Sequence, residues 1–263
     1  MRWSNVANLI TNHINDTTMI ITEKQPDMAD LSVADVVLAF PQALQILNRY
    51  NLDYCCGGKK PFIKVCENAG LNAESIWREI QLAVVNHGGD TRLRFNSWDA
   101  PLLIDFIVQH HHQYVRDSIP QIQALLDKVC NAHGEDSPFL LSVRDRFNSL
   151  AAELQNHLPK EEEVLFPAIR RLLVSRVSGA MPAVGQGQLS VPILNMEDEH
   201  EIAGDLIKSI RSLTNHYTPP VFACPTFRLT YIMLDQFDRD LMQHIHLENN
   251  ILFPKVLREQ AAL

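Results

Sequence analysis

Apolar residues recur at intervals of three and four along this chain, the spacing of one helix face, and the β-branched residues are scattered rather than alternating. The clearest stripes are Val143, Phe147, Leu150, Leu154 and Leu165; Met196, Ala203, Ile207 and Ile210; and Met233, Phe237, Leu241 and Leu252. They predict an all-α protein built on a four-helix bundle, with helices over about Asp99–Val129, Phe139–Val174, Met196–Asn215 and Cys224–Arg258. Pro120 is expected to kink or break the first of these. Ser175–Val191, with three glycines and a proline, reads as a long crossover between the bundle halves.

A smaller helical unit precedes the bundle. Ser32 before Val33, Val36, Val37 and Phe40 signals a helix start, and Pro41 suits the first turn of a second helix through Leu44, Ile46, Leu47 and Tyr50. That helix runs into Cys55-Cys56-Gly57-Gly58, a predicted tight turn presenting two thiols, whose glycines permit backbone angles closed to other residues. Helices over Pro61–Ala69 and Asn72–Val85 follow, with Gly70 and Asn72 as caps. The expected organisation is therefore an extension at 1–30 without sustained periodicity, a helical domain at 31–86, a linker at 87–97 and the bundle at 98–260.

Within the bundle stripes sit residues that do not belong in an apolar core. His157-x3-Glu161 is followed by Leu165-Phe166-Pro167, and His244-x3-Glu248 by Leu252-Phe253-Pro254, the proline ten positions after the histidine both times. Residues four apart share a helix face, so each copy aims an imidazole and a carboxylate at one point. A lone histidine lies 44 residues before His244, at His200, and another 45 before His157, at His112. In the His110-His111-His112 run, periodicity admits His111 or His112, and the interval favours the latter by a single position.

Two ionised glutamates facing one core require cations or a polar network, because uncompensated burial of a carboxylate costs several kcal/mol. Four imidazoles and two carboxylates able to bridge suit a pair of iron ions better than zinc, which usually closes a tetrahedron. Such a pair would keep positions open for an oxo bridge or a small molecule such as O2 or NO. His87, His133, His216 and His246 fit no such pattern and are read as surface or loop residues. Glu162, Glu163 and Glu201 are read as solvated helix faces, and the Leu-Phe-Pro segments as packing and helix-end features.

Composition narrows the partners. A net charge of -8 and pI near 5.7 provide no concentrated positive charge for nucleic acid or an anionic membrane. No apolar run reaches the roughly 18 to 20 residues that span a bilayer, and the N-terminus lacks a secretion-type pattern, so a cytoplasmic address is expected. Five cysteines in 263 residues do not make a disulfide framework, and the thiols are expected to be reduced.

Tyr50–Gly58 (YNLDYCCGG), Met196–Gly204 (MEDEHEIAG) and Leu241–Pro254 (LMQHIHLENNILFP) closely resemble the Repair of Iron Centres family, the YtfE/ScdA-like hemerythrin-type di-iron proteins, from about Leu31 to the C-terminus. The resemblance implies an N-terminal ScdA-type domain and a hemerythrin-like bundle holding two iron ions, oxo- and carboxylate-bridged. Its ligands would be His112, His157, Glu161, His200, His244 and Glu248, with both glutamates as bridges, and the DFIxxxxH segment selects His112 among its neighbours. It further implies repair of iron-sulfur proteins damaged by nitrosative or oxidative stress, by donation of iron rather than by catalysis. Turnover of NO, or sensing of NO or O2, is the alternative. Cys55 and Cys56 belong to the N-terminal motif and are candidate reactive thiols. A homodimer is left open. The departure from the pattern is Pro159, between His157 and Glu161, which is expected to kink that helix and shift His157.

Overall fold

The computed structural model describes residues 28–86, 93–178 and 188–262. Most of the expected extension, the first part of the expected linker and the middle of the crossover lie outside them. Among the described residues there is no strand, only an isolated bridge between Ser32 and Pro61. Among the described residues, no helix is long and apolar enough to cross a membrane.

The small unit comprises α1 (Val33–Ala39), α2 (Ala43–Arg49), α3 (Phe62–Asn68) and α4 (Ala73–Asn86). Ser32 and Asp35 close a capping box on α1: the Asp35 N–H donates to Ser32 Oγ at 3.1 Å, and the Ser32 N–H donates to Asp35 Oδ2 at 3.0 Å. Pro41 lies just ahead of α2 rather than inside it. Gly70, at φ 69°, ends α3 by the reverse turn in which Leu71 N–H reaches back to Cys66 O, and Asn72 Oδ1 caps α4 through the Ser75 N–H. Trp77 of α4 packs edge-on against Phe40 and tilted against Phe62.

Four long helices form the bundle. The first, α5, runs continuously through Ala100–Phe106, a π-helical turn at Ile107–His112, and Gln113–His133. Asp99 caps it by accepting the Leu102 N–H at 2.9 Å. Pro120 does not break it: the helix runs through that position. Next, α6 joins Phe139–Lys160, a π-helical turn at Glu161–Leu165, and Phe166–Ser178. Helix α7 (Ser190–Leu213) starts six residues before the expected Met196, and α8 joins Pro225–His246, a π-helical turn at Leu247–Leu252, and Phe253–Ala261. Helix α6 packs along α7 and α5, and α5 along α8.

The Leu-Phe-Pro segments do not end their helices, contrary to the sequence reading. Both prolines stand at the second residue after a π-helical turn, and the helix resumes through them. A proline donates no backbone hydrogen bond and crowds the carbonyl one turn back, so a widened turn just before it relieves the clash. Their leucines and phenylalanines are buried, as expected.

Among the described residues the core is two apolar clusters rather than one. The first joins the small unit to the bundle through Val115, Leu154, Leu158, Ala203, Leu241 and Ile245. The second collects Leu103, Ile107, Leu165, Phe166, Met196, Leu247 and Phe253. Each bundle helix passes from one cluster to the other, and the intervening turn carries the candidate polar residues.

Candidate metal centre

Between the two clusters His112, His157, Glu161, His200, His244 and Glu248 come together, none more than 3% exposed. They form two four-residue groups that share both glutamates: His112 and His244 with Glu161 and Glu248, and His157 and His200 with the same pair. Nε2 of His112 lies 3.1 Å from Nε2 of His244, and Nε2 of His157 lies 3.0 Å from Nε2 of His200. Within each repeat the imidazole Nε2 stands 3.2 Å from a carboxylate oxygen, in His157–Glu161 and in His244–Glu248 alike. Pro159 therefore leaves the first copy no wider than the second.

These groups fit bound cations. All four oxygens of Glu161 and Glu248 are buried without a hydrogen-bond partner, although imidazole nitrogens surround them. The outer ring nitrogens explain why. Nδ1 of His112 meets Glu162 Oε1 at 2.6 Å, Nδ1 of His157 meets Glu199 Oε2 at 2.8 Å, and Nδ1 of His200 meets Asn249 Oδ1 at 2.8 Å. Those oxygens only accept, so Nδ1 carries the hydrogen and the neutral ring turns the Nε2 lone pair inward. In that form lone pairs and carboxylate oxygens converge on one interior, which a bound cation stabilises. His244 is the exception, since its buried Nδ1 has no partner.

Without metal, the same convergence holds protons on two of the rings. Burial by itself depresses the His112 and His157 pKa values, but the surrounding glutamates outweigh it, and His157 is raised to about 9. Burial likewise pushes Glu161 and Glu248 up, but the imidazoles hold both below the usual carboxylate range, Glu248 well below. His244, fully buried, is depressed by burial, which the glutamates offset only in part.

Four neighbours of this centre have surroundings that the sequence reading did not assign to them. Glu162 is not a solvated face: besides His112 it binds Arg116 Nη2 at 2.7 Å. Glu199, which also pairs with Lys160, and Asn249 orient rings in the same way. His111 is fully buried beside His112, so two of the three consecutive histidines face inward and only His110 is exposed. The available signal was adjacency: each of the four directly precedes or follows a ligand candidate. Glu163 and Glu201 are exposed, as expected. His246 is not a surface residue but lies buried at 3% exposure against Tyr54, its pKa pushed down to about 4 by burial. His133 is half-buried on the Cys224 thiol, His216 is exposed, and His87 lies outside the described residues.

The Cys-Cys-Gly-Gly turn packs on the bundle beside this centre. Cys56 Sγ lies 3.3 Å from His200 O, and Cys55 Sγ lies 3.4 Å from Met242 Sδ. Only Cys56 is partly exposed; Cys55 is buried, and burial, followed by the adjacent Cys56, holds its thiol well above the usual range. The two sulfurs are 3.4 Å apart and not bonded. Neither Gly57 nor Gly58 has positive φ. Space is the reason for Gly58, where a Cβ would stand 2.6 Å from Tyr54 O, and for Gly204, where it would meet Cys56 Sγ at 2.9 Å.

A bundle with this buried His/Glu layer is a hemerythrin-type cation-binding protein, and residues 103–256 match the family described as the hemerythrin HHE cation binding domain. Residues 29–84 match the ScdA N-terminal family, described as a domain of unknown function (DUF542). The iron-sulfur cluster repair protein YtfE of Yersinia pseudotuberculosis serotype IB (strain PB1/+) is 33% identical over 232 residues, covering 88% of this chain and 99% of the relative. YtfE of Yersinia pestis (strain Pestoides F) is 32% identical over the same span. The chain belongs to this YtfE-type iron-sulfur cluster repair family.

Proposed function

We propose that the chain holds two iron ions between its bundle helices and repairs iron-sulfur proteins damaged by nitrosative or oxidative stress by giving iron up to them. The observation that carries this reading is the set of four buried carboxylate oxygens without hydrogen-bond partners, enclosed by four imidazoles. His112 and His244 would hold one ion, His157 and His200 the other, and Glu161 and Glu248 would be shared by both. Mixed nitrogen and carboxylate donors suit iron, as in other carboxylate-bridged bundle sites. The family named for cluster repair, with the hemerythrin-type domain, points to the same metal.

Bound there, the ions supply exchangeable iron and a redox-active centre. The chain's own residues do the rest. Glu162, Glu199 and Asn249 fix ring tautomers, and the two apolar clusters exclude bulk water. The small unit at 31–86, with Cys56 beside the carbonyl of His200, covers the face of α7 that carries that histidine. In this reading the damaged iron-sulfur proteins are the partners, NO and O2 are the small ligands, and the bundle domain is 98–260.

Iron-loaded protein incubated with a nitric-oxide-damaged iron-sulfur dehydratase should restore its activity. Recovery no better than with the Glu161→Leu/Glu248→Leu variant would overturn the proposal, as would a single zinc per chain in place of two irons.

A further inference from the structure

A second group of metal-type donors stands against the first. His110 and His111, in the π-helical turn that also carries His112, and Asp240 of α8 each offer a ligand atom within 4.8 Å of the others. His111 Nδ1 lies 2.9 Å from Asp240 Oδ1. The other donor of each residue, His111 Nε2 and Asp240 Oδ2, is buried and has no partner. A structural hydrogen bond between the two would use one atom of each and gain nothing from enclosing the second. Two imidazoles and a carboxylate make the donor set that binds a divalent transition metal on one side and leaves its other positions open.

Placement distinguishes this group from the buried centre. His110 is exposed, stacks on Phe106 with ring centroids 5.0 Å apart, and lines a cavity of about 380 Å³ between the small unit and the bundle. His111, fully buried, lies almost parallel to the His244 ring, with centroids 5.6 Å apart and planes 6° apart. One end of the group therefore faces the cavity, and the other rests on a histidine of the buried centre. His244 is also the ring whose Nδ1 no acceptor fixes, so it is the least restrained of the four.

We propose that His110, His111 and Asp240 form a third metal site, for a divalent transition-metal cation, through which iron passes between the cavity and the buried pair. The port role rests on the reading of the centre as an iron pair; the cation site itself does not. With three protein donors, one of them on an exposed side chain, the site binds more weakly than the six-residue centre and exchanges its ion, as a port must.

The test uses the full chain with its buried centre loaded with iron, titrated with manganous ion and followed by loss of the free-ion electron paramagnetic resonance signal. Iron is counted before and after. The wild-type chain should take up one further equivalent of manganese with its iron count unchanged. His110→Ala, at an exposed position outside the packed core, should weaken that uptake about tenfold or more, and Asp240→Asn should abolish it. Both variants should retain wild-type iron and surrender it several-fold more slowly to an external chelator. Absence of the extra equivalent, or uptake equal to wild type in both variants, would overturn the site. Loss of manganese uptake with unchanged iron release would overturn the port role and keep the site. An iron count other than two in the wild-type chain, taken before manganese is added, counts against the buried pair instead.

Discussion

His112 and Glu162, 50 residues apart in sequence, share a 2.6 Å hydrogen bond in which the imidazole Nδ1–H donates to the carboxylate. Glu162 directly follows Glu161, just as Asn249 directly follows Glu248, and Asn249 accepts from His200. In each half of the repeat, the residue after the shared glutamate thus orients the lone histidine of that half. The halves differ in charge, an anion behind His112 and a neutral amide behind His200. Loss of such an orienting partner costs about 10–100-fold in metal affinity. Glu162→Ala should therefore weaken iron retention by that factor in chelator competition, while Glu162→Gln, which still accepts, should restore part of it.

Metal uptake should depend on pH. In the metal-free protein His157 keeps its proton up to about pH 9, and a cation must expel it to bind. Affinity should rise as pH increases toward that value, by about tenfold per unit for one displaced proton, and level off above it. Competition against a chelator of known proton dependence, with proton release followed at neutral pH, checks both direction and slope.

Pro159 lies in the interior of α6, whose His157–Glu161 separation matches that of His244–Glu248. An interior proline costs a helix about 3 kcal/mol relative to alanine, partly offset where the surrounding turn has adapted. Pro159→Ala should therefore raise the thermal midpoint, by an amount equivalent to about 1–3 kcal/mol, and leave iron stoichiometry unchanged. A variant that lost iron would show that the proline itself sets the position of His157.

Away from the metal centre, Asp238 accepts from Nη2 and Nε of Arg211, at 2.6 and 2.8 Å, and from the Tyr217 hydroxyl at 2.7 Å. Both ionised groups are largely enclosed. Asp238→Ala leaves the guanidinium without its counter-charge and should destabilise the chain by about 3–5 kcal/mol in denaturant unfolding. The doubly changed Arg211→Met/Asp238→Ala protein should recover much of that loss, because no charge is then left buried and unpaired.

The helices were legible because burial imposes the three-and-four spacing directly on the sequence, and Ser32, Asp99 and Asn72 marked ends that the structure caps with those same side chains. The doubled His-x3-Glu frame was legible for the same reason, since four residues is one helical turn. Sequence by itself determined that the two His/Glu pairs and His200 lie in line with core stripes of their helices, and it left the first helix a choice between His111 and His112. It did not reveal the three π-helical turns that carry His112, Glu161 and Glu248, because an inserted residue shifts the helix face locally and leaves no period of its own. That shift allows both His111 and His112 to be buried, where a regular helix face offered a choice between them. Glu162, Glu199, Asn249 and Asp240 acquire their roles only across helices, from partners 42 to 129 residues away. Such pairings depend on how the helices are rotated and staggered against one another. Only the tertiary packing decides that, because local propensity and periodicity act within one helix and carry no information about its neighbour's register.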